Sequence, residues 1–388
     1  MTKHRWAWAE IDLGAIRHNV REISALCGPD VRFMAVVKAD GYGHGAFEVG
    51  RAALAAGASH LGVATVDEAL DLRRRGIVAP ILILAEPPVD SIPELLNERI
   101  APTVTRAEFL LEYGGIAAAR NEIAPYHLKI DTGMNRIGVH HLEAASFAES
   151  FSFMPSVHLE GVFTHFATAD VPGDWGFAQQ LERFDGAVAA IRAAGIDPGI
   201  VHAANSAAAI LHPKARFDMV RIGLSLYGLH PSDASRPVID LAPAMSIKSR
   251  LTLVKDVALG EGVGYGLTHQ AGRGSRIGTI PLGYADGLRR ILSNRMDVLH
   301  DGRRLPQAGR ICMDQTMVEQ SIVPRPGLEP QRRIEVGDEI VIIGRQGDET
   351  ITADEHADLI GTITHEVTCG FGTRLERVHL IGDIVERV

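Results

Sequence analysis

The sequence predicts an α/β protein in which an N-terminal (β/α)8 barrel of the TIM type precedes a C-terminal, mostly β domain. Eight short apolar runs alternate with amphipathic segments up to about residue 230, at a mean spacing of about 26 residues, as a strand–helix repeat requires. After His230, β-branched runs separated by glycine-rich turns replace this pattern. We therefore expect a cofactor-binding barrel at residues 10–232 and a β domain at residues 1–9 and 233–388.

The eight apolar runs are the predicted barrel strands, and the segments between them are predicted helices. The strands are expected at Phe33–Val37, His60–Thr65, Pro80–Ala85, Ala101–Val104, Tyr126–Ile130, Leu159–His165, Gly199–Ala203 and Met219–Gly223. The clearest helices are Phe47–Ala56, Val66–Arg75 and Phe177–Ala194, and a glycine, a common stop signal, directly follows each of them.

The second domain is predicted from its β-branched runs and from the linker that precedes them. Pro231–Pro237 is rich in proline and serine and is typical of a linker. Strands are expected at Met245–Val257, Arg276–Pro281, Ile340–Gly344 and Val378–Ile384. Residues 1–10 predict one more strand before the first helix.

The composition narrows the classes of function. Of the 388 residues, 46% are hydrophobic and 22% are charged, and the formal net charge is -9. This balance argues against nucleic-acid binding, which usually requires a basic excess. Three widely spaced cysteines and scattered histidines favour a reducing compartment and predict no metal site. The N-terminus lacks the apolar core of a signal peptide and no apolar stretch could span a bilayer, so we expect a cytoplasmic protein without membrane contact.

Polar side chains lie within or directly after several of the predicted barrel strands. They are Lys38, Lys129, His165, Ser206 and Arg221. In barrels of this type the chemistry is carried by the C-terminal ends of the strands. We therefore expect these five side chains to converge on one mouth of the barrel.

Each of these residues also has a structural alternative. Lys38 could reach solvent, His165 could be a hydrogen-bonded core histidine, and Ser206 could be a helix N-cap. A buried lysine among cationic neighbours, however, has a lowered pKa and becomes a nucleophile. Such an amine beside a helix start that favours anions indicates pyridoxal phosphate held covalently through the lysine.

The motif Ala35-Val-Val-Lys-Ala-Asp-Gly-Tyr-Gly-His-Gly resembles the cofactor-lysine motif of bacterial alanine racemases, which are pyridoxal-phosphate enzymes of fold type III. The resemblance covers essentially the whole chain. It continues in order through Lys129-Ile-Asp-Thr-Gly-Met-Asn-Arg136, His202-Ala-Ala-Asn-Ser-Ala, Gly264-Tyr-Gly, Gly283-Tyr-Ala-Asp-Gly287 and Cys312-Met-Asp-Gln315. It implies a barrel followed by a β domain, and an activity that interconverts L-alanine and D-alanine and supplies D-alanine for peptidoglycan.

The resemblance also implies which residues hold the cofactor phosphate. Lys38 would carry the pyridoxal phosphate, and Tyr42, in the same glycine-rich loop, would help to hold its phosphate. Ser206 and the backbone around Gly223 and Leu224 would complete that phosphate site.

Three further residues would surround the cofactor ring. Arg136 would face its phenolic oxygen and the substrate, and His165 would stack near the ring. Arg221 would contact the pyridine nitrogen. Because an arginine cannot give up its proton, that nitrogen would stay unprotonated, and rapid return of a proton to Cα would be favoured over side reactions.

Racemisation requires a proton to leave one face of Cα and return on the other, so two acid/base groups are needed. By resemblance, Lys38 serves one face and Tyr265 the other. In the family this tyrosine comes from the partner subunit, which implies a homodimer with shared active sites. Met313 and Tyr284 would lie near the amino-acid substrate.

Two positions need separate treatment. In some relatives the lysine that matches Lys129 is carbamylated and orients the neighbouring arginine, so we expect a carbamate there.

Many members have a tyrosine near the C-terminus that contacts the phosphate, and Thr373 occupies the matching position here. The shorter threonine predicts weaker retention of the cofactor.

Three other functions stay open at this point. The first is a racemase of serine or another small amino acid, and Tyr265 and Tyr284, which are typical of alanine-specific enzymes, disfavour it. The second is a fold-type III decarboxylase, in which the Gly264-Tyr-Gly and Cys312-Met-Asp motifs would be unexpected. The third is a non-catalytic cofactor-binding protein, whose expected mark is the loss of Lys38 or Tyr265.

Overall fold

The structure is a computed structural model that describes residues 5–323, 332–381 and 384–386. Residues 1–4 and 382–383, which the sequence assigned to strands, lie outside the described residues. The chain forms two compact units, which we call the barrel unit and the β unit. The barrel unit is Ala15–Gly41 with Gly45–Pro243, and the β unit is Met1–Gly14 with Tyr42–His44 and Ala244–Val388. The domain limits expected at residues 9/10 and 232/233 stay a prediction.

The barrel unit contains the eight parallel strands that the apolar runs predicted. They are Arg32–Val36, His60–Val63, Ile81–Ile83, Ala101–Val104, Ala124–Asp131, Val157–Phe163, Ile200–His202 and Met219–Ile222. The first seven strands pair consecutively, and the eighth pairs with the first, so that Met219 lies opposite Arg32. Next to the gap between the seventh and eighth strands, the backbone N–H of Arg221 donates to the carbonyl oxygen of Ala204 at 2.9 Å. The predicted TIM-type barrel is thereby confirmed.

Helices precede and connect the barrel strands. They span Leu13–Cys27, Ala46–Ala55, Val66–Arg74, Ile92–Asn97, Ala107–Ala119, Ala144–Phe151, Trp175–Ala193 and Ser206–Leu211. Side-chain caps begin three of them: Thr65 forms a capping box with Glu68, Asp174 accepts the backbone N–H groups of Gly176 and Phe177, and Asn205 accepts that of Ala208. A short additional strand, Val139–His140, pairs with Ala124–Asp131. One buried cluster of the barrel core is Met34, Leu82, Ala101, Phe163 and Met219.

The β unit is mostly β, as its β-branched runs predicted. Its strands are Ala7–Asp12, Met245–Arg250, Leu253–Val257, Gly262–Val263, His269–Gln270, Ser275–Ile280, Asp297–His300, Arg303–Ala308, Thr316–Ser321, Glu339–Gln346, Glu349–Ile351, Glu376–Ile381 and Ile384–Glu386. Its two α-helices, within the described residues, are Ala353–Ile360 and Thr364–Gly370. The run expected at Met245–Val257 forms two strands rather than one. In the parts of the chain that the structure describes, no helix combines the length and the apolar character needed to cross a membrane.

Candidate active site

Lys38 begins an unusual turn directly after the first barrel strand. The φ angles of Ala39, Asp40, Gly41 and Tyr42 are 52°, 51°, 60° and 53°, so the chain makes one left-handed helical turn. This conformation costs roughly 1–2 kcal/mol for each residue other than glycine. Strain of this kind is retained at functional sites, and here it sets the backbone that carries the Lys38 amine.

Hydrogen bonds compensate for the strain of this turn. The N–H of Gly41 donates to the carbonyl oxygen of Val37 at 2.9 Å, and the N–H of Ala39 donates to Oε1 of Glu68 at 2.7 Å. Oδ1 of Asp40 accepts the N–H of Ala46 at 3.0 Å. Glu68 therefore holds the residue that follows Lys38 against the start of the next helix.

In the β unit, the Tyr42–His44 segment is held closely against the C-terminal part of the chain. A Cβ atom on Gly43 would lie 2.5 Å from the carbonyl oxygen of Thr368, so only glycine fits there. Nε of Arg377 donates to the carbonyl oxygen of Gly43, and Nε2 of His379 donates to that of His44, both at 3.0 Å. These contacts set the position of the preceding residue, Tyr42.

Tyr42 is a buried hydroxyl donor. Its ring centroid lies 5.7 Å from that of His365, and the side chain is 9% exposed. Burial, with a smaller contribution from Cys369, raises the pKa of Tyr42 to about 12. The phenol therefore keeps its proton at neutral pH and is suited to donate to an anion.

Lys129 lies near the end of the fifth barrel strand and is buried among positive charges. Its Nζ lies 4.3 Å from the centroid of the Phe163 ring. Burial lowers the pKa of Lys129 well below its ordinary value, and the charges of Arg221, Arg136 and Lys38 lower it further. The neutral fraction of this amine is therefore larger than that of an ordinary lysine.

Arg221 lies in the last barrel strand and connects the same group of residues. Its Nη2 donates to the carbonyl oxygens of Thr164 at 2.6 Å and Ala203 at 2.9 Å. Nη2 also lies 3.2 Å from Nδ1 of His165, and Nη1 lies 3.2 Å from Nδ1 of His202. Because a guanidinium can only donate, both imidazole Nδ1 atoms are acceptors.

His165 is half-buried and neutral in this environment. Burial lowers the pKa of His165 well below its ordinary value, and the charges of Arg221, Lys129, Arg136 and Lys38 lower it further. Arg136 itself is exposed in the loop after the fifth strand, yet its charge acts on both Lys129 and His165. The predicted set Lys38, Lys129, Arg136, His165 and Arg221 is therefore electrostatically coupled within the barrel unit.

Ser206 is not the helix cap that one alternative proposed. The cap of helix Ser206–Leu211 is Asn205, whose Oδ1 accepts the N–H of Ala208 at 3.0 Å. Oγ of Ser206 instead accepts the N–H of Ser225 at 3.2 Å. The hydroxyl is thereby directed towards the turn that begins at Gly223 and Leu224, which are buried like Ser206 itself.

The β unit exposes the three side chains that the sequence assigned to the substrate side of the site. Tyr265 is 70% exposed, Tyr284 41% and Met313 52%. Tyr265 opens a short turn between Gly264 and Gly266, whose φ angles are 71° and 70°. The loops of the other two are joined, because the N–H of Tyr284 donates to the carbonyl oxygen of Cys312 at 3.0 Å. Thr373 is exposed in a turn of the same unit.

Sequence reasoning assigned no role to several polar residues of the barrel interior. They are Glu68, His127, Glu160, Gln180 and His202. Gln180 is 4% exposed, donates to the carbonyl oxygen of His165 at 3.1 Å and accepts the N–H of Ala167 at 2.8 Å, so it supports the His165 loop. For His127, Glu160 and His202 the available signal was a histidine or glutamate inside a barrel strand, since such groups need a polar partner.

The donor set of the barrel unit fits a phosphorylated aldehyde such as pyridoxal phosphate. Lys38 supplies an amine that can hold an aldehyde, Ser206 supplies a hydroxyl group, and Arg221 supplies a permanent cation. Within the described residues, no group of three or more histidine, cysteine or acidic side chains has the arrangement of a metal site.

Comparisons with known proteins identify the family of the chain. The model of the alanine racemase N-terminal domain matches residues 11–231, and that of the C-terminal domain matches residues 244–379. The alanine racemase of Desulfovibrio desulfuricans is 45% identical over 97% of this chain and 98% of that protein. That of Symbiobacterium thermophilum is 44% identical over 97% of both chains.

Solved structures give the same result. The alanine racemase of Bacillus anthracis with bound L-Ala-P has a TM-score of 0.91 and 38% identity, and the match covers 100% of this chain and 98% of that one. The two domain models together match most of the chain, and the relatives match it at high coverage. The chain therefore belongs to the alanine racemase family.

Proposed function

We propose that this protein is a pyridoxal-phosphate-dependent racemase that interconverts L-alanine and D-alanine. The observation that carries the proposal is the strained turn that presents Lys38 beside the coupled cations Lys129, Arg136 and Arg221. Family membership supports alanine as the substrate, because the relatives that match nearly the whole chain are named alanine racemases. Neither Lys38 nor Tyr265 is lost, which disfavours a non-catalytic binding protein.

Lys38 would hold the cofactor until the amino group of the substrate displaces it, which frees the Lys38 amine, and the cofactor would then supply the electron withdrawal that acidifies the hydrogen on Cα. Ser206, the backbone of Gly223 and Leu224, and the hydroxyl of Tyr42 are the groups we assign to its phosphate. His165 and Arg136 flank its ring, and Arg136 also meets the substrate.

Arg221 is the residue assigned to the pyridine nitrogen. Burial lowers the pKa of Arg221 to about 9, which leaves it a cation at neutral pH. Its bonds to the carbonyl oxygens of Thr164 and Ala203 hold the guanidinium in place. The guanidinium can donate a hydrogen bond to the ring nitrogen but cannot protonate it. A ring with an unprotonated nitrogen draws less negative charge from Cα.

Lys38 and Tyr265 are the two acid/base groups we assign to the opposite faces of Cα. One removes the proton and the other returns a proton, so the configuration inverts. We place Tyr284 and Met313 beside the substrate, where their bulk favours a small side chain such as that of alanine.

We further propose a homodimer in which Tyr265 serves the site of the partner chain. Two observations support it: Tyr265, Tyr284 and Met313 are large and exposed, and Tyr265 lines a groove of about 830 Å³ with the apolar side chains of Leu253 and Leu267. Large exposed apolar side chains of this kind are typical of an interface.

Mixing two inactive variants tests this sharing of sites. A heterodimer of Lys38→Ala and Tyr265→Phe would contain one intact site, so random exchange of equal amounts would restore about a quarter of the wild-type activity. Each variant alone provides the control. No recovery after verified subunit exchange would place Lys38 and Tyr265 of one chain in the same site.

The activity itself is tested by optical rotation. Cofactor-loaded protein incubated with L-alanine, D-alanine or L-serine is followed until the signal is constant. We expect both alanine enantiomers to reach zero rotation, with L-serine much slower. A signal with serine alone would overturn the substrate, and release of carbon dioxide would favour the decarboxylase.

We also propose that the enzyme acts in the cytoplasm and supplies D-alanine for peptidoglycan. The free thiols of Cys27 and Cys312 support a reducing compartment. Growth of a D-alanine auxotroph without added D-alanine, when it expresses the wild-type chain but not Lys38→Ala, is the expected result.

A further inference from the structure

A line of buried polar groups runs through the barrel interior from Arg221. Nη1 of Arg221 lies 3.2 Å from Nδ1 of His202, and Nε2 of His202 lies 2.8 Å from Nδ1 of His127. Nε2 of His127 lies 3.2 Å from Oε2 of Glu160. His202 and His127 are 0% and 1% exposed, whereas the Glu160 side chain is 33% exposed.

The direction of every hydrogen bond in this line follows from its two ends. Arg221 can only donate and an ionised carboxylate can only accept. Nδ1 of His202 is therefore an acceptor, so its Nε2 carries the proton and donates to Nδ1 of His127. By the same logic, Nε2 of His127 carries a proton and donates to Glu160.

We infer that His127 and Glu160 are positioning residues for Arg221, because they hold His202 in the Nε2–H tautomer that keeps a lone pair directed at the guanidinium. The consequence for catalysis rests on the proposed function, in which Arg221 meets the pyridine nitrogen. The other tautomer of His202 would place an N–H against an N–H of Arg221, and the guanidinium would have to move.

Local backbone features adapt the barrel to this line. The register between the fifth and sixth strands shifts so that Tyr126 lies opposite Leu159 and His127 opposite Gly161, which leaves Glu160 as the extra residue of a β-bulge. Bulges of this kind redirect a side chain. A Cβ atom on Gly161 would lie 2.6 Å from Nδ1 of His127, so the imidazole occupies space that only glycine leaves open.

Packing and charge also favour a neutral, ordered imidazole at His202. The Phe163 ring lies parallel to that of His202, with centroids 4.8 Å apart and an interplanar angle of 6°. Burial lowers the pKa of His202 well below its ordinary value, and the charges of His127, Arg221, Lys129 and His60 lower it further.

At the other end of the line, Glu160 faces three histidines. Its hydrogen bond to His127 lowers the pKa of Glu160, with smaller contributions from His60 and His158, although burial opposes this effect. Glu160 is thus a carboxylate at neutral pH, and as an acceptor it fixes the direction of the hydrogen bonds between Arg221 and itself.

The test compares two replacements of His127 in the cofactor-loaded protein. Asparagine can place a carbonyl oxygen near the position of Nδ1 and still accept from His202, whereas phenylalanine offers no acceptor. We expect His127→Phe to lower kcat by about tenfold with little change in KM, and His127→Asn to restore most of it. His158→Gln, at an exposed neighbour of Glu160, is the matched control.

Two readouts separate positioning from a general loss of structure. The pH dependence of the visible absorption of the bound cofactor should shift in His127→Phe and Glu160→Gln but not in His158→Gln. In ¹⁵N-histidine NMR, wild-type His202 should show the Nε2–H tautomer, and the Nδ1–H form should appear in His127→Phe.

Two results would overturn the inference. One is an Nδ1–H tautomer of His202 in the wild type, which can be measured even where the His127→Phe variant does not fold. The other is an unchanged absorption profile and kcat in a folded His127→Phe variant. An inactive wild type with the expected tautomer would overturn the proposed function and leave this arrangement standing.

Discussion

The Cα atom of Gly43 lies so close to the carbonyl oxygen of Thr368 that a Cβ atom added there would be only 2.5 Å from it. The φ angle of Gly43 is 83°. The same glycine accepts a hydrogen bond from Arg377, so the segment after Tyr42 is both strained and held. This close contact explains why position 43 of the glycine-rich motif is a glycine.

Gly43→Ala should therefore weaken cofactor retention and stability together. The positive φ costs roughly 1 kcal/mol, and the contact with Thr368 adds on the order of 1–3 kcal/mol because backbone must move. Gly57→Ala is the matched control, since Gly57 also has a positive φ but its Cβ would meet no atom within 4 Å. Equal losses in urea unfolding for both variants would contradict this account.

Lys129 should carry a carbamate. A neutral amine adds to carbon dioxide with loss of one proton, and the resulting anion would lie among the cations Arg136, Arg221 and Lys38, whose charges already lower the pKa of Lys129. ¹³C NMR of protein in labelled bicarbonate should show one carbamate signal that is absent from Lys129→Met. Activity should rise with bicarbonate in the wild type only, and a bare ammonium in a high-resolution structure of the loaded enzyme would contradict the assignment.

Thr373→Tyr should slow the loss of the cofactor. A tyrosine would carry its hydroxyl further than the threonine does, and Thr373 is exposed in its turn, so a larger side chain meets no packed core. The rate of pyridoxal-phosphate loss during dialysis measures the effect. Thr373→Phe is the control that adds the ring without the hydroxyl, and retention as good as that of Thr373→Tyr would argue against a phosphate contact.

Acid should destabilise the fold in part through His356. This side chain is 1% exposed, and burial lowers the pKa of His356 from 6.5 to about 4. The unfolded chain then binds more protons between these values, so stability falls as pH drops below 6.5 and levels off near 4. The loss is roughly 3 kcal/mol.

His356→Gln removes this titration. Its unfolding free energy should depend less steeply on pH between 6.5 and 4 than that of the wild type. His140→Gln, at an exposed histidine, should follow the wild-type curve. Parallel curves for the wild type and His356→Gln would show that burial does not suppress the charge of His356.

The barrel could be predicted from the sequence because every strand is a short apolar run that a helix or turn signal ends. The positions of Lys38, Lys129 and Arg221 followed from the rule that strand ends carry the chemistry. The left-handed turn after Lys38 could not be predicted, since Ala39 and Asp40 adopt such φ values only when tertiary contacts require it.

The line from Arg221 to Glu160 was missed for a similar reason. It depends on a β-bulge and on the space beside Gly161, and both are set by the pairing of strands that are distant in the sequence. Helix capping was also misjudged, because Asn205 and Ser206 are equally good caps by residue type. Only the geometry of the turn at Ser225 assigned their roles.

The central claim is that Lys38 and Tyr265 act on opposite faces of Cα, and hydrogen exchange in D2O tests it most directly. With Tyr265→Phe, we predict that alanine of one configuration still exchanges its α-hydrogen for deuterium, with that configuration retained, through Lys38. Alanine of the opposite configuration should exchange far more slowly than with the wild type, and racemisation should be lost in both directions. Exchange of both enantiomers at the wild-type rate in Tyr265→Phe would contradict the claim, because a group other than Tyr265 would then serve the second face.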